Sequence, residues 1–304
     1  MTSAERSRVR GSLLGLAVGD ALGVAVEFKK PGTFDQVTTF LGGGPFARKL
    51  KPGEWTDDTS MALCLVASLS ETGWDLHDQM QRYTRWYRLG ELSSVGECFD
   101  IGIQTRAALD RFQATGDEIA GSTDPADSGN GSIMRLCPVP LAFRHDIPLA
   151  VARSGESSIT THGSILCRDA CRFLGLLIAL AATGTDRNAL LAPTLAESHH
   201  LDLCPEIADI AQGSYRRKSP PAIRGTGYVV DSLAAALWAT DRSYDFRSAV
   251  LAAVNLGDDA DTTGAIAGQL AGAIYGEDSI PPDLRQSLAH PQLLNDYAER
   301  LCKL

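Results

Sequence analysis

Apolar residues recur at three- and four-residue spacing through 8–27, 59–71, 76–89, 94–113, 164–183, 227–240, 245–254, 262–275 and 283–302. That period lines up one apolar stripe on a helical face, so the pattern predicts helices over most of the chain. Strand-like alternation is nearly absent, its best example being the short QVTTFL at 36–41. Without a regular succession of strands and helices, doubly wound and barrel α/β folds lose support and an all-α fold is expected. Between the helices lie GGGP at 42–45, KPGE at 51–54, GSTDPADSGNGS at 121–132 and RKSPPAIRGTG at 217–227. These turn-rich pieces are too short for domain linkers, so a single domain over 1–304 is expected. No repeat of roughly 20–50 residues points to a solenoid.

Two of the helical segments carry a glycine every fourth residue: Gly11, Gly15, Gly19 and Gly23 in one, Gly264, Gly268, Gly272 and Gly276 in the other. A glycine inside a helix costs about 0.5–1 kcal/mol relative to alanine. Two stripes of four therefore suggest close backbone approach, the alternative being a core that merely tolerates small residues. Close approach would make both helices central and bring their ends together.

Charge narrows the functional classes. With 28 Lys and Arg against 37 Asp and Glu, the formal charge is −9, and the only basic run is Arg216, Arg217 and Lys218. Phosphate neutralisation needs a basic stripe, so no nucleic-acid partner is expected. The seven cysteines are odd in number, form no C-x-x-C pair and lie mostly in apolar stretches, which fits a reducing cytoplasm. Arg6, Arg8 and Arg10 precede an apolar run that could imitate a signal peptide. Asp20 interrupts that run, and from Gly11 to Val26 it is shorter than the roughly 20 residues a membrane span requires. A soluble core helix, with no membrane span, is the expectation.

The chemistry concentrates in two acidic clusters, TDDT at 56–59 and DDADTT at 258–263, each just ahead of an apolar helix. Thr and Asp cap helix starts, and a carboxylate there gains about 0.3–1 kcal/mol from the helix dipole. One such residue suffices for a cap. Adjacent carboxylates aimed into an apolar interior repel each other and resist ionisation unless a cation compensates. All the donors are carboxylate or hydroxyl oxygens, with no His or Cys, a set suited to Mg²⁺, Mn²⁺ or Ca²⁺ rather than Zn²⁺. Two clusters could hold two ions that orient a substrate and activate water. Capping and metal binding both stand open on this chemistry alone. No P-loop, H-E-x-x-H or G-x-S-x-G occurs.

Eight ordered blocks then resemble the ADP-ribosylglycohydrolase family: GSLLGLAVGDALGVAVEF at 11–28, GGGPF at 42–46, PGEWTDDTSMALCL at 52–65, CFDIGIQTRAAL at 98–109, GNGSIMRLCPVPL at 129–141, TTHGSILCRDACR at 160–172, GYVVDSLAAALWA at 227–239 and NLGDDADTTGAIAGQLAGAIYG at 255–276. The resemblance runs nearly end to end. It implies an all-helical fold with two divalent ions, Mg²⁺ or Mn²⁺, held by Thr56, Asp57, Asp58, Asp259, Asp261 and Thr262. Asp258 stands where a Gly is common in the family and is left outside that set. The resemblance also implies that Ser128, Gly129, Asn130, Gly131, Ser132 and His162 contact the ADP-ribose, with Tyr228 lining the cleft. Taken bottom-up, a Gly/Ser/Asn loop before a helix can offer N–H groups to phosphate, although most such loops are only turns. His162 and Tyr228 could equally be structural.

The implied reaction is hydrolysis at the anomeric carbon of ADP-ribose, with proton transfer by carboxylates among Asp58, Asp100 and Glu27. Blocks such as DIGIQTR resemble the bacterial branch that includes the dinitrogenase-reductase-activating glycohydrolase. That favours an ADP-ribosylated protein as substrate, an arginine linkage and ADP-ribose as product. The alternatives are a serine linkage, O-acetyl-ADP-ribose, a non-catalytic ADP-ribose binder and an unrelated metal-dependent phosphohydrolase.

Overall fold

The computed structural model describes residues 1–304, and they form fifteen α-helices with no sheet. The longer ones are α1 (Ser3–Gly23), α2 (Asp57–Glu71), α3 (Leu76–Leu89) and α4 (Ile103–Thr115). A single turn, α5 (Pro138–Ala142), leads into α6 (Ile147–Ile159) and α7 (Ile165–Thr183). Three short pieces follow, α8 (Arg187–Leu190), α9 (Leu195–Ser198) and α10 (Pro205–Ala211). The chain closes with α11 (Val229–Asp241), α12 (Phe246–Val254), α13 (Ala260–Tyr275), α14 (Pro282–Ser287) and α15 (Pro291–Cys302).

The glycine stripes explain the centre of the molecule. α1 and α13 run antiparallel with backbones in contact: a Cβ placed on Gly11, Gly15 or Gly19 would lie 2.5, 2.3 and 2.0 Å from the carbonyl oxygens of Gly272, Gly268 and Gly264. No side chain fits there, so the close approach suggested by the spacing is what the fold uses. Gly276 is the exception in the stripe, because it sits beyond the helix at φ 81° as its cap. The pairing brings the end of α1 against the start of α13, where the second acidic cluster stands. Ser3–Val26 is long and apolar enough to pass as a membrane span, yet 94% of its apolar window is buried within the fold.

Three sequence expectations change. QVTTFL at 36–41 forms no strand: Val37 and Phe40 are buried, but the backbone N–H and C=O of Val37 pair with the Asn255 side chain. Residues 94–102 are irregular and the helix starts only at Ile103, after the backbone has turned at Gly96 (φ 76°). The 283–302 helix breaks between Ser287 and Pro291, where His290 takes a left-handed conformation and Pro291 opens α15. Five helices went unforeseen, the short α5, α8, α9 and α10 and the longer α6, whose buried positions are Ser, Gly and Ala rather than large apolar residues.

Candidate functional site

Both acidic clusters begin helices, and at neither does the side chain of the N-cap residue accept from an amide of its own helix. Thr56 caps α2 without its side chain accepting from a backbone amide of the helix, and Asp259 caps α13 in the same way. The cap of α2 comes instead from α1: Asp20, fully buried, accepts hydrogen bonds from the Thr56 and Thr59 amides (3.0 and 3.1 Å) and from both hydroxyls (2.9 and 2.6 Å). Thr56 Oγ1 is then 3.1 Å from Asp58 and 3.4 Å from Asp261, so the clusters meet although 205 residues separate them. Local capping does not account for these residues.

Carboxylate oxygens of Asp20, Asp58 and Asp261 lie within 4.8 Å of one another, as do those of Glu27, Asp259 and Asp261. Glu27 reaches this group because α1 ends in a 3-10 turn at Val24–Val26. No Lys or Arg side chain lies among the groups bordering the cavity here. Burial and then repulsion from Asp100 push Glu27 up to about 10, and burial followed by Asp259 pushes Asp100 up to about 7. Burial raises Asp20 to about 6 despite its hydrogen bonds, and Asp57, Asp58 and Asp261 stand well above the ordinary carboxylate range. Asp58 Oδ1 and Glu27 Oε2 are buried without any partner. Such a cluster fits an oxygen-ligated cation, which supplies both the missing charge and the missing partners.

Beside the cluster opens a cavity of about 580 Å³. Asp57, Asp259, Asp261 and Thr262 reach its floor, and Glu27 and Asp100 its wall. Ser128, Gly129, Asn130, Gly131, His162 and Tyr228 form the opposite side, where Gly129 bridges Tyr228 and the Asn130 amide donates to Gly227. The Asn130 side chain is committed inward, donating to Asp259 (2.7 Å) and Ser232 (2.9 Å). Expected site residues that do not border the cavity are Thr56, Asp58 and Ser132. Thr56 and Asp58 lie beneath its floor, while Ser132 bonds to Ser158 behind the loop. Of the three expected proton carriers, Glu27 and Asp100 border the cavity and Asp58 lies beneath it.

His162 is a neutral donor in this wall. Burial and then the charge of Arg135 hold its pKa down at about 3. Thr161 Oγ1 accepts from Arg135, and the only acceptor within reach of its own proton is His162 Nδ1 at 2.9 Å, an arrangement that favours the ring proton on Nε2. Nε2 lies beside Gly131, where an added Cβ would be 3.0 Å away.

A family model described as ADP-ribosylglycohydrolase matches residues 1–304. The chain belongs to that family. It is therefore a hydrolase, and its relatives bear this out. It is 43% identical over 295 residues to the ADP-ribosylarginine hydrolase Tri1 of Pseudomonas putida (strain GB-1), covering 97% of this chain and 77% of the relative. The Serratia proteamaculans (strain 568) protein of the same name is 40% identical, with 97% and 78% covered. The ADP-ribosyl-[dinitrogen reductase] glycohydrolase of Rhodospirillum rubrum is 34% identical, with 90% and 87% covered. A solved structure titled ADP-ribosylglycohydrolase-related protein complex superimposes with a TM-score of 0.88 at 42% identity, covering 99% of both chains.

Two features of this hydrolase escaped sequence reasoning. Asp20 looked like an interruption of an apolar helix, and only its position one residue after the striped Gly19 hinted that it would face α2 and α13. The start of α4 also borders the cavity, through Gly102, Gln104 and Thr105, with no side chain capping its amides. Its sequence signal was hidden inside the longer helix expected from residue 94.

Proposed function

We propose that this hydrolase cleaves the N-glycosidic bond between ADP-ribose and an arginine side chain of a modified protein, with two divalent ions, Mg²⁺ or Mn²⁺, at the acidic clusters. The names of the relatives at 43% and 40% identity support the arginine linkage. The cavity adds a physical reason: a wall of carboxylates without Lys or Arg suits a cationic guanidinium better than a neutral serine hydroxyl. The observation that carries the metal reading is the pair of partnerless buried oxygens, Asp58 Oδ1 and Glu27 Oε2, inside a cluster that lacks a basic side chain.

Thr56, Asp57, Asp58, Asp259, Asp261 and Thr262 would hold the ions, while Asp20 has its oxygens taken by Thr56 and Thr59 and acts as a brace. Bound ions would supply the positive charge that orients ribose hydroxyls and polarises a water. The protein's own groups do the rest. His162 and the loop at 128–132 bind the diphosphate, and Tyr228 bounds the cleft. Water adds its oxygen to the anomeric carbon as the bond to the guanidine nitrogen breaks and its electron pair leaves with the nitrogen; Glu27 or Asp100, in its ionised form, takes the water's proton and passes it to the departing nitrogen. The products are ADP-ribose and unmodified arginine. The unpaired cysteines support a cytoplasmic setting for this work.

The test offers arginine-linked and serine-linked ADP-ribosyl proteins and O-acetyl-ADP-ribose, with chelator and with Mg²⁺ or Mn²⁺ restored. Intact ADP-ribose should leave the arginine-linked protein fastest, and only with metal. Release of AMP or phosphate, or release indifferent to chelator, would reject the proposal.

A further inference from the structure

The largest electrostatic anomaly outside the acidic clusters is Arg135, which is 1% exposed and forms no ion pair. Its neighbours are neutral: Tyr83 Oη at 3.2 Å, Thr161 Oγ1 at 2.6 Å, the Gly131 carbonyl and the face of the Tyr83 ring. The other deeply buried arginine, Arg144, has the ordinary solution, Glu5 at 2.7 Å. A buried cation with no counter-charge is costly and persists where something else compensates or requires it.

Two of the contacts of Arg135 lead to the cavity wall, Gly131 directly and Thr161 through His162. One guanidinium nitrogen donates to Gly131 O. In a trans peptide the N–H points opposite to the C=O, so this bond draws density from the unit and strengthens the Ser132 N–H as a donor. The amides of Gly131 and Ser132 have no partner within the protein, whereas those of Gly129 and Asn130 are spent on Asp127 O and Gly227 O. A second nitrogen donates to Thr161 Oγ1, which leaves His162 Nδ1 as the acceptor for the Thr161 proton and favours the Nε2–H form of the ring.

We propose that Arg135 is the positioning residue of the anion-binding wall: its buried charge is completed by the diphosphate of the substrate, and its hydrogen bonds orient Gly131 and the His162 ring, both of which border the cavity, to receive it. The inference rests on the proposed placement of ADP-ribose in this cavity. Ligand binding therefore supplies the counter-charge that the folded chain lacks, and affinity for an anionic ligand depends on Arg135 while affinity for a neutral fragment does not.

Calorimetry with ADP-ribose and with adenosine, in Mg²⁺, tests this on the wild-type protein, Arg135→Lys and Arg135→Gln. Both variants lose the planar fork, but only Lys keeps the charge. Arg135→Gln should weaken ADP-ribose binding by about 10–100-fold and adenosine binding by less than about threefold, with Arg135→Lys within about fivefold of wild type for both ligands. The ¹⁵N shifts of His162 should show the Nε2–H form in wild type and a mixture of forms in Arg135→Gln. Parallel loss of both ligands, or equal loss of ADP-ribose in the two variants, would mean a merely structural role and overturn the inference. Should Arg135→Gln not fold, Arg135→Lys decides: retained ADP-ribose affinity supports the charge, and a loss that adenosine shares refutes it. A wild-type protein that does not bind ADP-ribose would instead reject the placement of the ligand.

Discussion

Asp20 shows how one residue sets a site it need not touch. Its carboxylate accepts from two amides and two hydroxyls of the TDDT segment, and without it the start of α2 has neither a cap nor a fixed angle to α13. Asp20→Ala should cost about 2–4 kcal/mol of stability in chemical denaturation, the range for losing several buried bonds to a charged acceptor. Hydrolysis should fall by at least about 100-fold as the clusters separate. The titrating groups give a second expectation. Glu27 is raised from 4.5 to about 10 by burial and then by Asp100, and Asp100 from 3.8 to about 7 by burial and then by Asp259. Between roughly pH 4 and those values the folded chain holds protons that the unfolded chain has lost. Stability without bound cation is thus full below about pH 4 and declines as pH rises through 7 and toward 10. The thermal stabilisation given by Mg²⁺ or Mn²⁺ should accordingly grow between about pH 5 and 8, and a shift that is flat with pH would exclude these carboxylates as the cation's partners. The acidic clusters were legible because so many like charges in one apolar context demand compensation. Asp20 was not, because a single buried Asp has the same sequence signature whether it caps, pairs or interrupts.

Among the helices, the α1–α13 pair offers the sharpest test. Replacing a mid-helix Gly by Ala ordinarily stabilises by about 0.5–1 kcal/mol. At Gly15 and Gly268 the new methyl would sit 2.3 and 2.1 Å from a carbonyl oxygen of the facing helix, so the sign reverses. Gly15→Ala and Gly268→Ala should each destabilise by about 2–4 kcal/mol in a denaturant titration. Gly155→Ala serves as the contrast, because its new methyl would crowd only the Arg172 side chain, with Cγ at 2.9 Å, and make ordinary contact with Arg168 O at 3.7 Å; it should change stability by less than about 1 kcal/mol. Period four in glycine was readable because it has no other economical cause. The longest element lost from view, α6, has a Ser- and Gly-rich inner face that carries little hydrophobic period. The helix expected from residue 94 began late because its early apolar residues pack as loop against the core, a tertiary outcome that spacing cannot report.

For the whole molecule, one continuous cluster of 82 buried apolar residues draws on nearly every helix from α1 to α15. Calorimetry should therefore show one cooperative transition with equal calorimetric and van't Hoff enthalpies, moved upward by Mg²⁺ and by ADP-ribose; two separable transitions would speak against a single domain. The sequence carried the all-helical architecture and the meeting of the two clusters, since both follow from periodicity and charge. It did not carry which side chains end up beneath the cavity floor, because that depends on the angle at which α2 meets the paired helices. The pairing of α1 with α13 also has a consequence in time. The ribosome makes α1 before α13, so until α13 emerges the glycine face of α1 waits without its mate. No chain that still lacks α13 can assemble both acidic clusters, so catalytic competence waits for that helix.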